Sequence, residues 1–276
     1  MAISGAEEQF DYRILRLTDM TEEPMKFLAP IGGYQDMPLV SLEQAVEPLT
    51  SLLPAVQNYA YLVKQRCDKP ADGLTPDESA AIMLYSMGWK PLDQCLFVAL
   101  NAALRSADRR NLKPWFLFLK LFLTALYRLP SISRYTVYRG VKLNLNERYK
   151  KEKTVMWWGF SSCTTSIELL QSEHIVGKTG PRTIFCIECN SGKDIRKHSY
   201  DPSENEILLL PGTQFKVVGC LNPDSNLHTI QLQEIQPPVT ILQHPFRLDH
   251  LQTKPVAGKR LIITSFWYYK KFIKFF

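Results

Sequence analysis

Three short segments in the second half of the chain place polar side chains where the surrounding pattern predicts buried apolar ones. The first contains Arg139, which on an alternating strand shares a face with Val137 and Val141. A guanidinium is always charged, so a buried one needs an anionic partner. Gly140 has no side chain and lets a ligand approach the backbone closely. Taken alone, Arg139 also fits an edge strand on which its stem lies along the sheet.

The second segment, residues 157–166, runs from two tryptophans and a phenylalanine directly into five hydroxyl side chains and a thiol. Hydroxyls both donate and accept hydrogen bonds, so on a strand they can position a carboxylate or a ribose. The aromatic rings beside them exclude water or stack on a flat ring. Strands rich in serine and threonine are also ordinary, so this segment by itself does not identify a site.

The third segment carries two carboxylates separated by one residue, at the beginning of a continuous apolar run. Glu204 and Glu206 precede Ile207 and three leucines. At the start of a strand the two side chains project to one face, roughly 6 to 7 Å apart. Two like charges this close can take different roles in a reaction. Alone, this spacing is most often a solvated strand edge.

The first half of the chain predicts the helices that frame these segments. Apolar residues recur at spacings of three and four, as is typical of helices, over residues 41–67, 92–107 and 115–129. Pro48 and Pro54 predict a break in the first of these stretches. Thr75, Pro76 and Glu78 supply an N-cap oxygen, a proline at the first helical position and a reciprocal cap. Residues 115–129 are shorter than the roughly 20 residues of a membrane-spanning helix and predict a buried helix.

Beyond residue 129 the period of the apolar residues changes from about 3.6 to 2, which predicts strands. The alternating stretches are residues 135–143, 183–189, 214–220 and 228–235. Helices followed by strands, without steady alternation, favour an α+β fold. We expect a helical N-terminal part packed on a strand-rich part.

Composition and charge exclude several classes of protein. The chain has 276 residues, of which 45% are hydrophobic and 22% charged, and this mixture excludes a disordered tail protein, a collagen and a simple coiled coil. The net charge of +6 equals the number of basic residues after position 250, where the sequence has no acidic residue. A nucleic-acid binder spreads basic side chains over a folded face, so we expect no nucleic-acid partner.

Cys186 and Cys189 have the spacing of half a zinc site. They lie in an alternating stretch, however, and residues three apart on a strand face opposite sides. The sequence contains no second Cys-x-x-Cys and no His-x-x-x-His to complete a site. We expect structural thiols and no metal.

Together and in this order, the three segments resemble the arginine-specific mono-ADP-ribosyltransferases, whose active site is summarised as Arg, Ser-x-Ser and Glu-x-Glu on successive strands. The resemblance covers about residues 74–242, and its most specific part is Glu204 with Glu206 and the apolar residues that follow. The resemblance implies an α+β fold in which the helical N-terminal part packs on a mixed or antiparallel core of two sheets. On this basis we divide the chain into an N-terminal extension, a catalytic domain with a helical and a strand-rich part, and a basic aromatic tail. The respective ranges are 1–40, 41–242 (41–130 and 131–242) and 243–276.

The resemblance implies how the first two segments bind NAD. Arg139 is expected to hold the pyrophosphate side, where a bidentate fork suits phosphate oxygens. The backbone of Gly140 is expected to bind the nicotinamide carboxamide. Phe160 and Thr164 take motif positions that contact NAD, and residues 167–182 are expected to cover the nicotinamide pocket.

The serine of the motif is expected to orient the catalytic carboxylate. Ser162 matches this position, and Ser161 stays open as an alternative one residue away. Cys163 replaces a motif hydroxyl with a thiol, which donates weakly, and we expect no catalytic role for it.

The third segment is expected to carry the reaction. Glu206 matches the invariant carboxylate, which binds the 2'-hydroxyl of the nicotinamide ribose and stabilises positive charge as the glycosidic bond breaks. Glu204 matches the position where arginine modifiers carry Glu, because a carboxylate pairs with a guanidinium and takes its proton. Tyr200, in the preceding loop, is expected to stack on the acceptor guanidinium. We expect His198 to be a solvated loop histidine rather than a general base.

The activity implied by the resemblance is transfer of ADP-ribose from NAD to an arginine of an acceptor protein, with release of nicotinamide through an oxocarbenium-like transition state. NAD and NADP both stay open as the co-substrate, and no metal is required. Two alternatives also stay open: hydrolysis of NAD at the same site, and an interaction module that keeps the fold without catalysis. We expect a monomer.

The end of the chain, residues 261–276, is aromatic and basic and has no acidic side chain. Such a segment fits peripheral contact with an anionic membrane surface, with its lysines near the headgroups. A disordered end without function is the alternative. The first residues lack the basic and apolar regions of a secretory signal, so we expect a cytoplasmic location and leave a secreted or surface location open.

Overall fold

The computed structural model describes residues 16, 23–24, 26–132, 134–170 and 175–247. The chain divides into two compact units, Met1–Phe246 and Arg247–Phe276, and of the second unit only Arg247 is described. The basic aromatic segment 261–276 therefore lies outside the described residues. The predicted domain bounds at residues 41 and 242 stay predictions.

The first half of the chain is helical, as its apolar spacing predicts. The helices are α1 (Leu42–Val46), α2 (Val56–Lys64), α3 (Pro76–Ser86), α4 (Leu96–Arg105) and α5 (Phe116–Arg128), and a short helix, α6 (Ile167–Leu170), follows later. Turns of 3-10 helix span Glu47–Leu49, Leu92–Gln94 and Arg109–Trp115. Pro48 lies in the first of these turns, so the predicted break between α1 and α2 is confirmed.

The helix start at Thr75 is formed as its sequence predicts. The Thr75 side chain accepts a hydrogen bond from the backbone N–H of Glu78 at 3.2 Å, and the Glu78 carboxylate accepts one from the N–H of Thr75 at 2.8 Å. α5 contributes most of its residues to the core, which confirms the buried helix. In the part of the chain that the structure describes, no helix is long and apolar enough to cross a membrane.

The second half contributes a mixed sheet, and this confirms the α+β class. Its eight strands, counted over the described residues, are β1 (Tyr135–Val141), β2 (Thr154–Trp157), β3 (Ser161–Thr164), β4 (Arg182–Cys189), β5 (Lys193–Asp194), β6 (Glu206–Leu209), β7 (Thr213–Asp224) and β8 (Leu227–Ile235). The spatial order is β2-β7-β8-β4-β1-β3-β6-β5. β4 and β8 are parallel, and the other neighbours are antiparallel.

Hydrogen bonds join these strands into one sheet, whereas we expected two. β1 pairs along its whole length with β4, and β3 pairs along its whole length with β6. Between β1 and β3 the described register has a single pair, Tyr138 opposite Thr164. The alternation of apolar residues reveals strands but not their partners, so the sequence does not show that this one bridge makes the sheet continuous.

The two faces of the strands near this bridge belong to different cores. Cys163 and Ile207 pack with Val137 and Phe185 in a core formed by strand residues, here called the strand core. Leu208 points the other way and packs with residues of α1 to α5 in the helical core. Polar side chains on the Leu208 face therefore lie between the sheet and the helices.

Candidate functional site

β3 and β6 bring three polar side chains of the motifs to one face. Thr164 lies directly opposite Glu206 in the antiparallel ladder, and Ser162 lies opposite Leu208. Directly opposite residues share a face, and so do residues two apart on one strand. Ser162, Thr164 and Glu206 therefore point to the side of the helical core, together with Leu208.

The same alternation separates the two candidate serines. Ser161 lies opposite Leu209, which belongs to the strand core, and the Ser161 Oγ is 3.4 Å from the carbonyl oxygen of Gly159. The Ser162 Oγ is buried and has no hydrogen-bond partner among the described residues. A buried hydroxyl without a partner is unfavourable and can accept or donate a hydrogen bond to a ligand. The geometry favours Ser162 as the serine of the motif.

Cys163 lies between Ser162 and Thr164 in sequence, and its side chain points into the strand core. Burial raises the pKa of its thiol well above the ordinary value. A protonated, fully buried thiol is neither a nucleophile nor a strong hydrogen-bond donor. This placement agrees with the expectation that Cys163 has no catalytic role.

Glu206 is only 1% exposed and is held by Arg16, which is 3% exposed. The Arg16 Nε donates to Oε1 of Glu206 and Nη2 donates to Oε2, each at 3.2 Å. Nη1 of Arg16 also donates to the backbone carbonyl of Ser86, the last residue of α3. The role of Arg16 was not predicted from the sequence, because Arg16 lies in the predicted N-terminal extension and no spacing there distinguishes this residue from other charged residues.

The backbone between the two motif carboxylates is not a strand, so the predicted extended backbone at Glu204 is wrong. Glu204 ends the 3-10 turn Pro202–Glu204, and Glu206 begins β6. Asn205 between them has φ 49° and ψ 42°, the left-handed conformation that asparagine tolerates better than most residues. Side chains alternate only along extended backbone, so this turn redirects the chain between the two positions. The side chain of Glu204 lies outside the described part.

Arg139 occupies the buried row that the alternation predicts, with 0% exposure. Its neighbour Tyr138 shares a face with Thr164, so Arg139 points away from Thr164 and toward the strand core. Its Nη1 donates to the backbone carbonyl of Ser162 at 2.7 Å, and its Cζ is 5.9 Å from the centre of the Trp157 ring. The predicted contact of Arg139 with a pyrophosphate does not fit this position, because its side chain lies beneath β3.

The space above Gly140 is taken by the chain itself. A Cβ at this position would lie 2.2 Å from a methyl group of Val176. Val176 packs with Leu170 and Ile175 against Tyr138. Tyr138 of β1 and Thr164 of β3 lie on the same face of the sheet. The predicted close approach to the Gly140 backbone therefore exists, but a residue of the segment 167–182 makes it.

Phe160 does not offer a ring face to a ligand. Its ring centre lies 5.4 Å from that of Tyr85 and 5.0 Å from that of Phe122, within the helical core. Its backbone N–H and carbonyl are hydrogen-bonded to the side chain of Asn101. Phe160 anchors the start of β3 to α4, and this position does not match the predicted contact with NAD.

The loop before the Glu206 strand is tied to α3 through Tyr200. The backbone N–H of Tyr200 donates to the hydroxyl of Ser86 at 2.7 Å. The Arg66 guanidinium lies 4.3 Å from the centre of the Tyr200 ring. Tyr200 therefore contacts a guanidinium of the chain itself, and its contact with an acceptor guanidinium stays a prediction.

His198 is fully buried, so the prediction of a solvated loop histidine is wrong. Its Nδ1 lies 2.9 Å from the hydroxyl of Ser79, and its Nε2 lies 3.3 Å from the Asp72 carboxylate. Burial lowers the pKa of His198, and the neighbouring carboxylate opposes this shift. Ser79 is itself buried on α3, so these three residues anchor the loop rather than face a substrate.

In the residues that the structure covers, no candidate metal group is found, and two cavities of about 160 and 250 Å³ are not lined by Glu206, Ser162 or Thr164. No cluster of three or more His, Cys, Asp or Glu side chains is found there that could hold a metal ion. A cavity of about 160 Å³ lies beside Glu23, Met156 and Trp158, and Glu206 does not line it.

The described fold is that of the mono-ADP-ribosyltransferases. The eucaryotic mono-ADP-ribosyltransferase ART2.2 is 20% identical, with a TM-score of 0.51, over 72% of this chain and 85% of that chain. The Vis toxin of Vibrio splendidus is 20% identical, with a TM-score of 0.48, over 77% of this chain and 96% of that chain. At 20% identity, the likeness to ART2.2 shows the fold alone.

The family follows from the sequence match. A family model described as NAD:arginine ADP-ribosyltransferase matches residues 41–239, and the chain belongs to this family. This confirms the resemblance that the three motifs indicated. The chain has no match among the curated proteins.

Proposed function

We propose that the protein transfers the ADP-ribose of NAD to the guanidino group of an arginine in an acceptor protein and releases nicotinamide. The observation that carries this proposal is the face shared by Glu206, Ser162 and Thr164. A carboxylate beside two hydroxyls is the donor and acceptor set that a ribose requires. Membership of the NAD:arginine ADP-ribosyltransferase family supports the same activity.

Glu206 stabilises the bond-breaking step in this proposal. It accepts a hydrogen bond from the 2'-hydroxyl of the nicotinamide ribose, and its charge stabilises the sugar as the C–N bond to nicotinamide breaks. The electron pair of that bond leaves with nicotinamide. The Ser162 hydroxyl, buried without a described partner, orients the carboxylate or the ribose. Thr164 supplies the second hydroxyl of the face.

Two guanidinium contacts within the chain support arginine as the acceptor. Glu206 pairs with the guanidinium of Arg16, and the Tyr200 ring contacts that of Arg66. In the proposed transfer, a nitrogen of the acceptor guanidine attacks the anomeric carbon, and Glu204 takes the proton that this nitrogen loses. An amide at position 204 cannot take that proton.

The test uses radiolabelled NAD at a saturating concentration, with and without agmatine as a guanidine acceptor. We expect agmatine to increase nicotinamide release and to become labelled. Glu204→Gln should abolish the labelling of agmatine while NAD cleavage continues. Glu147→Gln changes an exposed glutamate in the same way and should leave both readouts unchanged.

Two outcomes would contradict the proposal. Equal NAD cleavage with and without agmatine, with no labelled agmatine, would indicate hydrolysis of NAD at the same site. NAD that stays intact with the wild-type chain and with Arg16→Gln would indicate an interaction module.

A further inference from the structure

The Arg16 guanidinium contacts three residues: Glu206, Ser86 and Phe97. Both Glu206 oxygens accept hydrogen bonds from it, and the backbone carbonyl of Ser86 accepts a third. The Phe97 ring lies 6.0 Å from its Cζ. A fork that engages both oxygens of one carboxylate is the strongest pairing available to arginine.

We propose that Arg16 is an internal competitor of NAD: it occupies Glu206 when NAD is absent, and NAD binds only when Arg16 leaves. This inference rests on the proposed function, which assigns Glu206 to the nicotinamide ribose. A carboxylate has lone pairs for more than two hydrogen bonds, so the bonds alone do not exclude the ribose. Glu206 is 1% exposed in this state and offers no surface to a sugar, and Arg16 contacts both of its carboxylate oxygens.

The competition has a defined energetic consequence. When a binding-competent state is only partly populated, the apparent affinity falls in proportion to its population. A bidentate ion pair shielded from water is difficult to replace by water alone, because the separated charges must both be solvated again. The apparent dissociation constant of NAD in the wild-type chain therefore includes the equilibrium for release of Arg16.

The contact also connects Glu206 with the loop that carries Tyr200. Ser86 accepts from Arg16 through its backbone carbonyl and from the N–H of Tyr200 through its hydroxyl. Release of Arg16 therefore removes one of the contacts at the end of α3, beside the loop predicted to meet the acceptor. Anything that binds the N-terminal segment and holds Arg16 away from Glu206 would increase the population that binds NAD.

The first experiment compares the full-length Arg16→Gln variant with the wild-type chain by calorimetric titration of NAD. We expect at least a tenfold lower dissociation constant for the variant and an intermediate value for Arg16→Lys, which keeps the charge but loses the fork. Arg110→Gln removes an exposed arginine that pairs with Asp108 and serves as the matched control. A dissociation constant that is unchanged or higher in both Arg16 variants would overturn the inference.

The second experiment uses the wild-type chain and does not depend on whether a variant folds. Trypsin must bind the Arg16 side chain to cleave after it, and this side chain is 3% exposed while it pairs with Glu206. We expect a saturating concentration of the non-hydrolysable analogue carba-NAD to accelerate cleavage after Arg16 severalfold relative to cleavage after Arg110. Slower or unchanged cleavage after Arg16 would show that the ion pair persists with the dinucleotide bound.

Failure of this inference can be told apart from failure of the proposed function. If NAD is cleaved by a Glu206-dependent reaction but Arg16→Gln leaves the dissociation constant unchanged, only the competition is wrong. If neither the wild-type chain nor Arg16→Gln binds NAD in the titration, both the proposed function and the competition are wrong.

Discussion

The backbone carbonyl of Ser162 accepts a hydrogen bond from Nη1 of Arg139 at 2.7 Å, while the Ser162 hydroxyl points to the opposite face of β3. Arg139 therefore supports, from beneath, the strand whose upper face carries Thr164 and Ser162. We expect Arg139 to affect the reaction indirectly, by holding β3 in position.

Arg139→Met should destabilise the fold. The substitution removes the donor to a buried carbonyl, and a buried acceptor without its partner costs about 1 to 3 kcal/mol. Urea denaturation followed by circular dichroism gives the change in the free energy of unfolding. A variant of wild-type stability with only a higher KM for NAD would contradict this role and support a direct contact with the dinucleotide.

Ser162→Ala and Ser161→Ala should have different effects. The Ser162 hydroxyl is buried without a described partner, so its removal should leave the melting temperature unchanged or raise it, while the KM for NAD rises about tenfold through one lost hydrogen bond. Ser161 faces the strand core, so Ser161→Ala should leave the KM unchanged. The reverse pattern in NAD-cleavage kinetics would assign the motif to Ser161.

Glu206→Gln should reduce NAD cleavage by at least about 10²-fold, because it removes the charge that stabilises the transition state. Nicotinamide release at saturating NAD is the measurement. Glu188→Gln is the matched control, since Glu188 is an exposed glutamate on β4 that accepts from Gln233.

Stability must be separated from activity in this comparison. Removing one member of a buried ion pair is strongly destabilising, whereas removing both charges is much less so. The double substitution of Arg16→Gln and Glu206→Gln should therefore melt closer to the wild-type temperature than Glu206→Gln alone. Recovery of NAD cleavage by the double variant would contradict the role of Glu206.

His198 should make the fold less stable in mildly acidic solution. Burial holds the pKa of His198 below the ordinary value of 6.5, so the unfolded chain binds a proton there that the folded chain does not. Stability then falls as the pH decreases below about 6.5, by at most about 1.4 kcal/mol per pH unit. Urea denaturation at pH 7.5 and 5.5 should show a larger loss for the wild-type chain than for His198→Gln. Equal losses would contradict this assignment.

Thr75→Ala should lower the free energy of unfolding by about 1 kcal/mol, because it removes the N-cap acceptor of α3. Thr75→Ser keeps a hydroxyl and should recover most of that loss. Chemical denaturation of the three proteins tests this, and equal stability of the alanine and serine variants would contradict it.

Local patterns in the sequence predicted the structural features that depend on residues close together in the chain. The capping box at Thr75, the buried helix α5 and the row containing Arg139 follow from spacings within a few positions. These patterns were enough for the α+β class and for the motifs that resemble the family.

Features that depend on distant pairing were not predictable in this way. The face to which Arg139 points is set by the pairing of Tyr138 with Thr164, residues far apart in the chain. The turn at Asn205 broke an alternation that assumed extended backbone. Arg16 contacts Glu206 across a sequence separation of 190 residues, and no spacing rule encodes such a contact.

The described register joins the strip β3-β6-β5 to the rest of the sheet at one residue pair. The Arg139 hydrogen bond to Ser162 and the packing of Cys163 and Ile207 in the strand core add to this connection. Val176 is packed on one side of this connection and Glu206 stands on the other. Substitutions that loosen the Tyr138–Thr164 bridge should therefore change the position of Glu206 relative to Val176 while each strand keeps its pairing within its own part of the sheet.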